Sequence, residues 1–172
     1  MKIAGVSFLT IVFMSLLMIN CAPGEGDSSD DITSVGRDGW LSGTTDDKFE
    51  TVTNHFGGFA RAMMEVNYRY VELFWAGEDE NWDYAAYQLE EMEEALEDGF
   101  QRRPARKASG RHFMEVVMQE MESAIQSGDK GVFDEAFELF TLQCNSCHAM
   151  EDAAYIHVNK PEKRNTNIGL RR

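Results

Sequence analysis

From about Asp46 to Met150, apolar residues recur every three or four positions, the period of amphipathic helices, and short clusters of Gly, Asp and Ser divide the pattern. The spacing predicts four helices. The first runs from about Asp46 to Ala76, with Thr44 or Thr45 as candidate N-cap and Gly77 as candidate stop. Its stripe is Phe49, Val52, Phe56, Phe59, Met63, Val66, Tyr70 and Phe74. Gly57-Gly58 interrupts it. Glycine costs about 1 kcal/mol inside a helix, so the pair marks either a close approach to the backbone or a mild kink. The second helix runs from about Glu80 to Asp98, with Trp82, Ala85, Ala86, Leu89, Met92 and Leu96 inward and Glu90, Glu91, Glu93, Glu94 and Glu97 solvated. Gly99 ends it, and a basic loop around Pro104 follows, with Arg102, Arg103, Arg106 and Lys107. That loop is either a turn whose cations offset the acidic helix or a contact for an anionic group or partner. The third helix runs from about Ser109, its candidate N-cap, to Ser127, with Phe113, Val117, Met121, Ala124 and Ile125 inward. The fourth starts at Asp129 or Lys130 and reaches Met150 along Phe133, Phe137, Phe140, Cys144, Cys147 and His148. Short loops between such helices predict an all-α, antiparallel four-helix bundle over residues 48–150, a fold that can host a cofactor between facing helices.

The flanks are not bundle-like. Lys2 followed by the apolar run Ile3 to Ile19 reads as a secretory signal over residues 1–21. Its end, Leu17-Met18-Ile19-Asn20-Cys21-Ala22, resembles a bacterial lipoprotein signal, with Asn20 where Gly, Ala or Ser is usual. That resemblance implies lipidation of Cys21. An uncleaved anchor helix is the other reading, since the run approaches spanning length. Either way the expectation is an exported chain in the periplasm or cell envelope, held at a membrane. Residues 22–47 are rich in Gly, Ser and Asp and read as a flexible acidic tether. Residues 151–172 read as an irregular tail, with a short extended stretch at Tyr155 to Val158 and a loose end after Pro161.

Of 172 residues, 30 are acidic and 16 basic, a formal charge of −14. That argues against nucleic acid and against charge-driven binding to anionic lipid. It suits docking to a basic face on a redox partner, or simple solubility.

The chemistry concentrates in Cys144-Asn145-Ser146-Cys147-His148. Two thiols three apart with a histidine directly after the second form a c-type haem attachment pattern. Each thiol adds across one haem vinyl group, and the histidine then lies where it can bind the iron. The competing readings are a redox dithiol, which does not call for the histidine, and a zinc site. A zinc site needs further ligands, and His55, His112 and His157 show no ligand spacing. The 3 cysteines are consistent with one lipid and one haem c, with none left over.

Helices ending in this motif resemble the class II c-type cytochromes, cytochrome c prime and its low-spin relatives, over about Phe49 to Met150. Two stretches, Glu72-Leu73-Phe74-Trp75-Ala76-Gly77 leading to Asn81-Trp82, and Phe133 to His148, also resemble a group of small exported monohaem proteins without an established role. The resemblance implies Cys144 and Cys147 as thioether residues and His148 as proximal iron ligand. It implies a distal side from the first helix, where Met63 is the candidate sixth ligand and Met64 points about 100° away. Met63 as plain core filling is the alternative. Phe56, Phe59 and Phe140 complete the expected pocket. Where cytochromes c prime carry an aromatic and a basic residue soon after the histidine, this chain has Ala149-Met150-Glu151-Asp152. The function so implied is electron transfer by a tethered monohaem protein. The alternative is binding of nitric oxide or carbon monoxide at an open distal site. No Ser/His/Asp set, phosphate loop or spaced acid/base pair suggests an enzyme. Association into a homodimer through an apolar bundle face is a further expectation.

Overall fold

The computed structural model describes residues 33–169. The export signal and Cys21 lie outside the described residues, as does the start of the tether. The described residues are helical without a β-strand. A Val35–Leu41 bridge precedes the first helix.

Helix α1, Thr45–Phe56, opens on a capping box: Asp47 N donates to Thr44 Oγ1 at 3.2 Å, and Thr44 N donates to Asp47 Oδ2 at 2.9 Å. It ends at Gly57, whose φ of 73° breaks the helical ladder. Helix α2 is Phe59–Glu78. The single helix expected over 46–76 is thus two. The break resets the phase of the stripe, and α1 buries none of its residues, leaving Phe49 and Phe56 66% and 61% exposed.

The bundle proper consists of α2, α3 (Trp82–Arg102), a third rod and α6 (Lys130–Met150). The third rod joins α4 (Lys107–His112), a π-helical turn Phe113–Val117 and α5 (Met118–Ser127). A 3-10 turn, Pro104–Arg106, leads into it. Ser109, expected as an N-cap, lies inside α4. The core is built from Tyr70, Leu73 and Phe74 of α2, Leu89, Met92 and Phe100 of α3, Phe113 to Ile125 of the third rod, and Phe133, Phe137 and Phe140 of α6.

Glycines mark where rods approach. A Cβ on Gly77 would lie 2.0 Å from Phe133 Cε1, and one on Gly110 would lie 2.1 Å from Phe100 Cζ. Gly77 is therefore a contact point within α2 and not its stop. The reversal falls at Glu80, with φ 51°, Asn81 N donating to Ala76 O at 2.8 Å and Glu80 N to Gly77 O at 3.0 Å. These are the two bonds of a Schellman cap.

After α6 the chain takes no regular structure, yet it is docked and not loose. Asn159 O accepts from Tyr70 Oη at 3.3 Å, and Lys160 Nζ lies 5.3 Å from the Phe74 ring centre. Arg164 donates to Trp75 O at 3.1 Å and pairs with Asp79 at 2.8 Å.

Candidate functional site

Cys144, Cys147 and His148 occupy the last two turns of α6, where Phe133, Phe137 and Phe140 carry the buried stripe toward them. Phe140 is fully buried and its ring centre lies 4.9 Å from that of Phe113, one turn before Cys144. Cys144 packs against the core. Beside it, Tyr70 Oη and Thr141 Oγ1 are 2.7 Å apart: Thr141 either accepts from the phenol and donates to Phe137 O at 2.8 Å, or donates to the phenol, whose hydrogen then goes to Asn159 O at 3.3 Å. Burial pushes the Tyr70 phenol up to about 12.

Both thiols are free, with no disulfide between them. Burial pushes the Cys144 thiol up to about 12, with the neighbouring Cys147 adding to the effect. Cys147 is raised as well, again mainly by burial, although the Ser109 hydroxyl beside it pulls the other way. A redox dithiol needs the opposite: a thiolate favoured by exposure, nearby cations or a helix N-terminus. Here the pair sits at a helix C-terminus, whose partial negative charge disfavours a thiolate. The described residues also hold no group of three or more His, Cys, Asp or Glu arranged to bind a metal ion, which a zinc site would require.

His148 is oriented by the chain that follows it. Its Nδ1 lies 2.7 Å from Ile156 O. A carbonyl can only accept, so Nδ1 carries a hydrogen, and in the neutral ring Nε2 keeps a bare lone pair. A metal-binding histidine is held in this way, donating its second ring nitrogen to a carbonyl or carboxylate. Two free thiols and a histidine in this tautomer, at the required spacing, fit covalent haem.

On the other flank, Arg106 pairs with Glu151, Ser109 donates to the same carboxylate, and the Arg106 guanidinium lies 5.5 Å from the Phe59 ring centre. Phe59 also meets Phe100 at 5.1 Å. The start of α2 and the end of α6 thus reach one cluster. Met63 is half-buried against the core, while Met64 is 66% exposed, the difference expected from their places on the helix. Phe56 stands apart from Met63: the break at Gly57 leaves its side chain exposed on α1.

A groove of about 750 Å³ runs between α2 and the tail, lined by Asn67, Tyr70, Val71 and residues 156–163. Neither cysteine lines it. Sequence reasoning missed Asn145, Tyr70, Ser109, Glu151 and the Ile156 carbonyl. A polar residue inside an otherwise apolar stripe, as Tyr70 and Thr141 are, is the signal that could have found the first contact. A backbone carbonyl leaves none.

Compared with protein-family models, curated proteins and solved structures, the chain has no match.

Proposed function

We propose that the chain is an exported monohaem c-type cytochrome that transfers electrons, with Cys144 and Cys147 as thioether residues and His148 as iron ligand. The observation that carries this reading is the 2.7 Å contact of His148 Nδ1 with Ile156 O beside two unpaired thiols. Attachment needs no oxidant: each S–H adds across a vinyl C=C, the sulfur to one carbon and the hydrogen to the other. Bound there, the group supplies one-electron redox chemistry at its iron, tuned by axial ligand, hydrogen bonding and burial. The chain's own residues bury the attachment point, fix the tautomer of His148 and place Tyr70 and Thr141 beside Cys144. A carrier and not an enzyme is the role that fits.

We read the bundle as antiparallel. Gly77 of α2 abuts Phe133 of α6, and Tyr70 meets Thr141, so seven residues back on α2 match eight forward on α6. Another seven back bring Met63 level with Ala149, next to His148, which supports Met63 as the residue on the distal side. The membrane tether rests on the signal that ends in Cys21, and the partner on the acidic charge, which favours a basic docking face.

Absorption spectra test the reading. The reduced, loaded protein is expected to be low-spin and six-coordinate and to lose that signature in Met63→Ala. An unchanged Met63→Ala spectrum would return Met63 to the core. A high-spin reduced spectrum that changes with carbon monoxide would overturn electron transfer in favour of gas binding.

A further inference from the structure

Directly after α6 the chain turns back on itself. Asp152 adopts φ 54°, Ala153 N donates to His148 O at 2.8 Å and Asp152 N to Ala149 O at 3.3 Å. This second Schellman cap aims the tail along the motif. There Asn145, the first of the two residues between the cysteines, exchanges two hydrogen bonds with one backbone unit: Nδ2 donates to Val158 O at 2.9 Å and Val158 N donates to Oδ1 at 2.8 Å. Its second amide hydrogen goes to Thr141 O at 3.1 Å, so both donors are used. The reciprocal pair imitates the exchange between paired strand residues. It also fixes which amide end is oxygen, because the opposite assignment would set donor against donor.

We infer that residues 156–160 form an orienting strap for His148, and that Asn145 is the positioning residue that holds the strap in register. In extended backbone, carbonyls two residues apart point to the same side. Val158 O meets Asn145 Nδ2 at 2.9 Å and Ile156 O, two residues before it, meets His148 Nδ1 at 2.7 Å, so the clamp on Val158 sits beside the carbonyl that holds the histidine. Beyond the clamp, Tyr70, Phe74, Trp75 and Asp79 anchor the tail to α2. The strap thus ties the orientation of the histidine to a second helix. Its geometry stands without haem, while its purpose rests on the proposed function. A hydrogen bond from Nδ1–H makes the imidazole a stronger donor at Nε2 and so favours the oxidised iron.

The test uses the full chain labelled with ¹⁵N, unloaded and haem-loaded, with Asn145→Ala and Val158→Pro beside it. Proline lacks the N–H that donates to Asn145 and leaves the backbone of every helix unchanged. In the unloaded wild type, imidazole ¹⁵N–¹H correlation should show His148 protonated at Nδ1. Both variants should stay helical but lose that preference, and when loaded should shift to a more positive reduction potential. An Nε2-protonated His148 in the wild type would overturn the inference. So would folded variants that keep both tautomer and potential. If Asn145→Ala fails to fold, Val158→Pro carries the same decision. Failure of the wild type to take up haem would remove the proposed function, while the tautomer comparison would still decide the strap.

Discussion

Gly77 shows how one residue can carry a contact that its sequence context conceals. At the end of an apolar stripe it reads as a helix stop, yet α2 continues through it to Glu78. Its missing side chain is what lets the Phe133 ring lie against the backbone, 2.0 Å from where a Cβ would stand. Phe133 is fully buried, tilted against Trp82 at 5.7 Å and stacked on Phe137 at 5.8 Å, so the ring has no room to withdraw. Gly77→Ala would gain about 1 kcal/mol of helix propensity. Overpacking in a close-packed core outweighs that gain, and a net loss of about 1–3 kcal/mol is expected. A lower denaturation midpoint at unchanged slope would register it. A midpoint at or above wild type would show that the ring can move.

At the scale of elements, the helical period was legible wherever a face is buried. The stripes of the second, third and fourth helices appear where the spacing put them except at Ala86, which is exposed, and Thr44 and Asp129 cap as their side chains allow. The first helix misled because Phe49, Val52 and Phe56 share the period of a buried face. Only the backbone at Gly57 decides that they leave the core. The docked tail was illegible for a different reason: Ile156, Asn159 and Trp75 take part through carbonyls, which every residue owns. The solvated face of α3 supplies a prediction. The Glu93 carboxyl is raised, first by partial burial and then by Glu97, Glu122 and Glu90. A raised carboxyl binds its proton more tightly when folded, so its favourable contribution exists at acidic pH and is lost as pH rises through its folded value. At neutral pH the cluster is a net repulsion. Glu93→Lys should raise stability by a few tenths of a kcal/mol, the scale of exposed charge pairs. It should also weaken the dependence of melting temperature on salt. A variant that melts lower at low salt would contradict this.

In the whole molecule, the bundle carries the terminal motif at one end of its core. Four rods bury an aromatic core that leads to Cys144, and the tail returns to hold His148. The formal charge of −14 is the ground for the proposed basic partner. The central claim is that one haem is bound covalently through both cysteines. The most direct measurement is the intact mass of the full chain, produced with haem-attachment machinery and weighed after denaturation. The predicted mass is the mature polypeptide, with any lipid on Cys21, plus one whole haem, with no hydrogens lost from the haem or the thiols, and the single variants Cys144→Ala and Cys147→Ala should weaken or abolish the attachment. A folded wild-type chain that carries no added mass and two alkylatable thiols would contradict the account.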